Sequence, residues 1–491
     1  MTSPGPMEGA PGKTFKRSLN LIDSSAIVVG SMIGSGIFIV SADMARSLGS
    51  PGWMLLAWVI TGLMTIFAAM TYGELASMMP KAGGQYIYLR EAYNPLTGFL
   101  YGWTLFTVIQ TGSIAAIAMA FSKFSGVLIP WISEENILFH IGPLKVTTVH
   151  LIAVLSILLL TWINTRGIKA GKIVQNTFTL TKVLVLVLFL IVGIFVAKST
   201  GWAANLRDFW QASNLDPVTG AATPLVGMAF IAAMGSAMVG SLFTYDAWYN
   251  ITYNSAEVIN PRRTIPLSLI YGTLVAAIIF ILCNIVYIKV LPLRGIPGSE
   301  SVISQGIAFA TDDRLGTAAI FGIFGEYAAI IMAVLIMIST FGCNNGLVLS
   351  GARVYYAMAE NKLFFKKIGN LNNRGVPANG LIIQCIWSCL LCLSGSYSQL
   401  LDYVIFAVLI FYALTNAGVF VLRRKWPHEE RAYKAFGYPV IPAICVILSV
   451  VIMIILLIYK PKFTWPGLII VAVGIPVYYI WKAMSSKTLI K

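Results

Sequence analysis

With 491 residues, 58% hydrophobic and only 11% charged, the chain falls well short of the roughly 25% charged residues with which a soluble protein covers its surface. One water-soluble core is excluded as well, because such cores stop growing near roughly 250–300 residues. Lipid is the solvent that remains, and the net charge of +15 must be read in that setting.

Crossing a bilayer takes roughly 20 consecutive apolar residues, and the sequence reaches that length repeatedly. A polar first stretch lacks the short apolar run and cleavage site of a leader. Spans are then predicted at Leu21–Ser47, Trp53–Met79, Leu96–Phe121, Val149–Ile163 and Val174–Val196. A second group follows at Pro224–Phe243, with an extension to Ile259, and at Ile265–Leu291, Glu326–Met358, Asn379–Leu393 and Leu400–Leu422. Val440–Tyr459 and Trp465–Met484 bring the number to twelve. A closed barrel is the other way to satisfy backbone groups in lipid, and unalternating runs such as Val183–Val196 argue against strands.

Twelve spans starting inside put Lys16, Arg17, Arg166, Lys172, Arg262, Lys366, Lys367, Arg423, Arg424 and Lys425 on one face. That is the positive-inside bias. The basic excess is a topology signal rather than a nucleic-acid footprint, and it predicts a multi-pass protein of the cell membrane with both termini cytoplasmic. The six cysteines fall within apolar spans without metal-ligand spacing, and the three histidines are scattered. Neither a metal, a cofactor nor an enzyme active site is expected.

Two spans carry interruptions. Gly30-Ser31-Met32-Ile33-Gly34-Ser35-Gly36-Ile37-Phe38 places three glycines and two serines at mid-membrane depth, each glycine weakening a helix by about 1 kcal/mol. Gly240-Ser241-Leu242-Phe243-Thr244-Tyr245-Asp246-Ala247-Trp248 does the same in the sixth span and adds an ionisable side chain. Val29-Gly30-Ser31-Met32 and Val239-Gly240-Ser241-Leu242 echo one another. The first span starts inside and the sixth outside, so the two groups of five read as an inverted repeat. Residues 1–19 form a tail, 20–196 the first repeat, 224–422 the second, 438–484 two appended helices, and 485–491 a second tail. Paired interruptions at matching positions point to a transporter binding site.

Unwound backbone is tolerated in lipid only where it lines a cavity. The N–H groups of Gly34, Ser35 and Gly36 open the second half of the first span, and their partial positive charge suits a carboxylate. The carbonyls near Met32, Ile33 and Phe243 suit an ammonium group. An α-amino acid supplies both.

Ile33-Gly34-Ser35-Gly36-Ile37-Phe38 resembles the first-helix motif of the amino acid–polyamine–organocation superfamily, in particular its L-type amino acid transporter branch. Tyr72-Gly73-Glu74-Leu75, Pro80-Lys81-Ala82-Gly83-Gly84-Gln85-Tyr86 and Glu91-Ala92-Tyr93 look like the segment after its second helix. Phe243-Thr244-Tyr245-Asp246-Ala247-Trp248 and Glu257-Val258-Ile259-Asn260-Pro261 are similar to its sixth helix and the following loop. Ser339-Thr340-Phe341-Gly342 through Asn345-Gly346, then Ser350-Gly351-Ala352-Arg353, resemble its eighth. The resemblance implies an all-α, LeuT-type five-plus-five inverted repeat working by alternating access. It implies a carboxylate held at Ser35 and Gly36, an amino group at the carbonyls of Met32 and Phe243, and the Phe243 ring as a gate. Loop Ser122–Thr148 has no cysteine, so a disulfide-linked heavy chain is not expected. Asp246-Ala247 stands where many L-type members have small residues, and an Asp there also occurs in members that take cationic amino acids.

Polar residues inside the spans complete the reading. Lys182 lies about eight residues into its apolar run, some 12 Å deep, where an isolated lysine costs about 3 kcal/mol. The resemblance implies that its ammonium occupies the place of a sodium ion, near the first and eighth helices at Ser339 and Thr340. Cys343 and Asn344 are expected to line the pocket with Thr244, Tyr245 and Asp246, and Thr107, Gln110 and Thr111 to line the route. Glu74, Glu257 and Arg263 are gate candidates at helix ends. The expected function is sodium-independent exchange of small or medium neutral L-amino acids; the alternatives are proton symport, or an exchanger that also accepts cationic amino acids.

Overall fold

The computed structural model describes residues 15–141, 144–393 and 397–487, so most of the N-terminal tail and the last four residues lie outside it. The chain begins with α1 (Leu21–Met32), α2 (Gly36–Leu48), α3 (Pro51–Met78), α4 (Gln85–Ala92) and α5 (Pro95–Thr104). A π-helical turn at Leu105–Ile109 leads into α6 (Gln110–Leu128). A hairpin, β1 (Ile137–Ile141) with β2 (Leu144–Thr147), precedes α7 (Thr148–Thr165), α8 (Ile168–Phe195) and α9 (Trp202–Arg207). A second hairpin, β3 (Ser213–Leu215) with β4 (Ala222–Pro224), precedes α10 (Gly227–Thr244), α11 (Asn250–Tyr253) and α12 (Pro261–Val290). Then come α13 (Val302–Gln305), α14 (Leu315–Phe324), α15 (Glu326–Glu360), α16 (Ala378–Cys392), α17 (Tyr397–Lys425), α18 (Val440–Tyr459) and α19 (Pro461–Lys487).

The boundaries follow local chemistry. Asn20 and Asp23 close a reciprocal capping box on α1, at 2.9 and 3.0 Å, satisfying N–H groups that a helix start leaves unpaired. Ser50 and Asn94 cap α3 and α5, each followed by Pro at the first helical position, where proline's missing N–H costs nothing. Gly49, at φ +54°, ends α2 in the left-handed region.

Among the described residues, eleven helices are long and apolar enough to cross a membrane, one of them formed by α1 and α2 together. The predicted ninth span is α16, whose 15 residues make it a shorter apolar helix. The chain is an all-α membrane protein. Its buried interior runs through α1, α2, α6 and α15, whereas α18 and α19 bury about a quarter of their apolar windows and lie at the periphery. Packing is patterned: α3 lies along α12, α6 along α15 and α7 along α16, while α1 meets α8 and α12, and α10 meets α17 and α3.

Candidate functional site

The first break falls where the glycines predicted it. Ile33 leaves the helix with extended dihedrals, φ −77° and ψ 91°, and α2 restarts at Gly36 with Ser35 at its N-cap. The second break is displaced toward the C-terminus of its predicted stretch. Helix α10 continues through Gly240 to Thr244, and residues Tyr245–Tyr249 form turns, with Ala247 at φ +66°.

The breaks face one small cavity. Met32, Gly34, Ser35, Gly36, Phe243, Thr244, Asp246 and Cys343, all binding candidates from the sequence, line it. Ser31, Ser113, Ile117, Ala247 and Leu347 complete the wall. One side presents the start of α2, whose first N–H groups have no intrahelical acceptors. The other presents the Asp246 carboxylate, which accepts from Tyr412 Oη at 2.7 Å and Tyr249 Oη at 3.4 Å. Asp246 is only 5% exposed. A positive pole and a negative pole thus meet across a small space.

Several predicted residues have other work. The Ile33 carbonyl, expected to take an ammonium group, accepts from Lys182 Nζ at 2.7 Å and Ser339 Oγ at 3.3 Å. Lys182 also donates to Gly30 O at 2.5 Å, so one buried lysine braces α1 on both sides of Ser31. Thr340 does not join this cluster, because its hydroxyl turns back to Ile336 and Met337 carbonyls of its own helix. The Phe243 carbonyl accepts the Asp246 N–H at 3.1 Å, a turn bond that closes the second break. Tyr245 packs between Trp58 and Phe280 and does not line the cavity. Asn344 donates to Ile114 O at 3.2 Å, tying α15 to α6, while Cys343 reaches the cavity and donates to Ser31 O.

The third span also differs from expectation. Thr107 and Thr111 donate to carbonyls of their own helix, and Gln110 donates to Leu347 O at 2.8 Å. None lines the cavity; Ser113 and Ile117 take that position. Gln110, Ser113 and Ile117 share one face of α6, and the cavity sits beside its later turns.

The gate candidates separate clearly. Glu74, fully buried, accepts from Arg423 Nε and Nη2 at 2.9 and 2.7 Å, from Arg431 Nε at 3.2 Å and from Ala435 N at 2.7 Å. Glu257 pairs with Arg353 at 3.1 Å, both side chains at most 2% exposed. Its carbonyl accepts from Ser18 and Leu19 N–H groups, and the Leu19 carbonyl accepts from Ile259 N, so the N-terminal strand is strapped across this end. Lys172 pairs with Asp23 at 2.6 Å beside it. Arg263 is exposed and, among the described residues, in no ion pair; Arg353 holds the place it was expected to fill. An arginine inside the apolar stretch of the eighth span was a readable signal of the kind Lys182 gave.

At the other end, Arg46 of α2 pairs with Asp313 at 2.6 Å and donates to Ala308 O at 2.7 Å. There α2 lies directly against α10: a Cβ on Gly36 would run into the Thr244 side chain, and one on Gly240 into Val40. Among the described residues, no three His, Cys, Asp or Glu side chains are placed to hold a metal.

A two-poled cavity between two broken helices points to a solute carrier of the membrane. A family model described as amino acid permease matches residues 19–479, and the chain belongs to that family. It is 28% identical over 480 residues to the large neutral amino acids transporter small subunit 2 of Homo sapiens, covering 97% of this chain and 83% of that protein. The b(0,+)-type amino acid transporter 1 of Homo sapiens is 28% identical over 455 residues, with 92% and 84% covered. The serine/threonine exchanger SteT of Bacillus subtilis (strain 168) is 28% identical over 468 residues, with 95% and 97% covered.

Proposed function

We propose that this protein is a sodium-independent exchanger of small or medium neutral L-amino acids, residing in the cell membrane with both termini cytoplasmic. The observation that carries the reading is the cavity shared by the two breaks. An α-carboxylate would accept from the Ser35 and Gly36 amides at the start of α2, and the α-amino group would face the Met32 and Phe243 carbonyls and Asp246. One relative is named a serine/threonine exchanger, which favours short side chains. Uptake by purified protein in liposomes, with internal and external amino acids varied independently, tests it.

The helix packing supports an inverted five-plus-five repeat. Corresponding helices lie together (second on seventh, third on eighth, fourth on ninth), and the contacts of α1 with α8 and α12 are repeated by α10 with α17 and α3. Such a scaffold suits alternating access. Opening one way would part α2 from α10 and release Arg46 from Asp313; opening the other would release the Ser18–Leu19 strap and the pairs at Glu74 and Glu257.

Asp246 supports acceptance of cationic amino acids as a second reading, since an unneutralised carboxylate in the wall would welcome a side-chain ammonium. Asp246→Asn should then lower competition by lysine or arginine about tenfold more than competition by serine or alanine. An equal effect on both classes would assign Asp246 to the scaffold.

Loop Ser122–Thr148 lacks a cysteine, and the described part of it forms a hairpin. We expect the purified chain alone, reduced, to exchange substrate in liposomes. Activity only after adding a second polypeptide would refute this.

A further inference from the structure

At the end of the molecule where α15 stops at Glu360, the chain does not return directly into α16. It runs through Leu363, Phe364 and Phe365 into a single 3-10 turn, Lys366–Gly369. Phe364 is buried and stacks on Trp481 of α19, with ring centroids 6.1 Å apart and planes 14° from parallel. Phe365 meets the same indole edge-on at 4.9 Å, yet stays 53% exposed. Trp481 lies near the end of the apolar span Thr464–Ala483. The three rings therefore sit where hydrocarbon gives way to headgroups, the depth that amphipathic rings prefer.

Lys366 and Lys367 follow Phe365 directly, and both are exposed. Among the described residues neither makes an ion pair. The acid near this turn is Glu360, which approaches Gly369. Several other basic residues at this end are engaged: Arg423 and Arg431 on Glu74, Arg353 on Glu257, Lys172 on Asp23, Arg262 on Glu430. An apolar ledge at acyl-chain depth, topped by two cations without acidic partners, has the polarity of a phospholipid turned inside out.

We propose that Phe365, Lys366, Lys367 and Trp481 form a binding site for the headgroup of an anionic glycerophospholipid. Its phosphate lies on the two lysines and its upper acyl chain lies against Phe365 and Trp481. Each lysine near an anionic lipid surface strengthens association by roughly fivefold, so removing both should weaken it about twentyfold. The rings of Phe364, Phe365 and Trp481 already tie the loop after α15 to the peripheral helix α19, and the lipid adds to that tie.

Native mass spectrometry of the purified full chain, titrated with phosphatidylglycerol or phosphatidylcholine, tests this without reference to transport, so its failure is separate from any failure of the exchanger reading. Wild type should retain phosphatidylglycerol in preference to phosphatidylcholine. Lys366→Gln/Lys367→Gln should lose that preference by about twentyfold and keep its thermal stability, both side chains being exposed. Phe365→Ser should weaken retention of both lipids. Lys81→Gln, an exposed lysine elsewhere on the chain, should change nothing. Equal retention by the double variant, an equal loss in Lys81→Gln, or displacement by millimolar inorganic phosphate would overturn the proposal.

Discussion

Replacing Lys182 with alanine should reduce amino acid exchange by at least about thirtyfold. Its Nζ is 2.5 Å from Gly30 O and 2.7 Å from Ile33 O, and the side chain is 1% exposed. These carbonyls flank the first break, where no helical N–H can replace the lost donor. Leaving a buried acceptor unsatisfied costs about 1–3 kcal/mol; Gly30 O would lose its Lys182 donor, while Ile33 O would keep only the longer bond from Ser339 Oγ at 3.3 Å. About 2 kcal/mol is a factor of roughly 30 in rate. The loss should appear in turnover, because Lys182 does not line the cavity and braces the segment that must move. Lys182→Arg should rescue poorly, since a planar guanidinium does not fit a site built for a compact ammonium. A fully active Lys182→Ala would show that the α1 break is held by other means.

Gly36→Val should abolish uptake, with residual activity below about 1% of wild type. Two effects coincide there. A Cβ at residue 36 would collide with Thr244, prising α2 from α10, and the β-branched side chain would occupy the space in front of the N–H groups proposed to hold the carboxylate. Overpacking of this kind typically costs about 1–3 kcal/mol, so the variant should still fold. Binding should fail along with transport. Gly36→Val combined with Thr244→Gly separates the effects: relief of the collision alone should restore thermal stability without restoring binding. Recovery of both would show that the residue serves packing and leaves the ligand to other groups.

The sequence made the span pattern and both interruptions legible, because glycine and serine at membrane depth have few reasons to be there. It also made Lys182 legible, since a lysine twelve ångströms into lipid demands partners, whereas their place on the first and eighth helices was implied only by the family resemblance. Thr340 was not legible: a threonine in a helix can satisfy itself on a carbonyl one turn back, and only the coordinates distinguish that from an interhelical bond. The wall contributed by α6 was not legible, because spacing along one helix face does not say how far along that face the cavity lies. Arg353 carried a signal equal to that of Lys182, an unpaired charge inside an apolar helix, and Glu257 answers it across 96 residues of chain. Long-range pairings of this kind follow from the fold and not from spacing.

The account turns on exchange without a metal ion. Liposomes containing the purified chain, loaded with serine or left empty, should be given labelled serine outside, in sodium chloride or in choline chloride. The prediction is rapid uptake into loaded vesicles, equal in the two salts, and little uptake into empty ones. Uptake that rises with sodium, or that proceeds equally into empty vesicles, would contradict it.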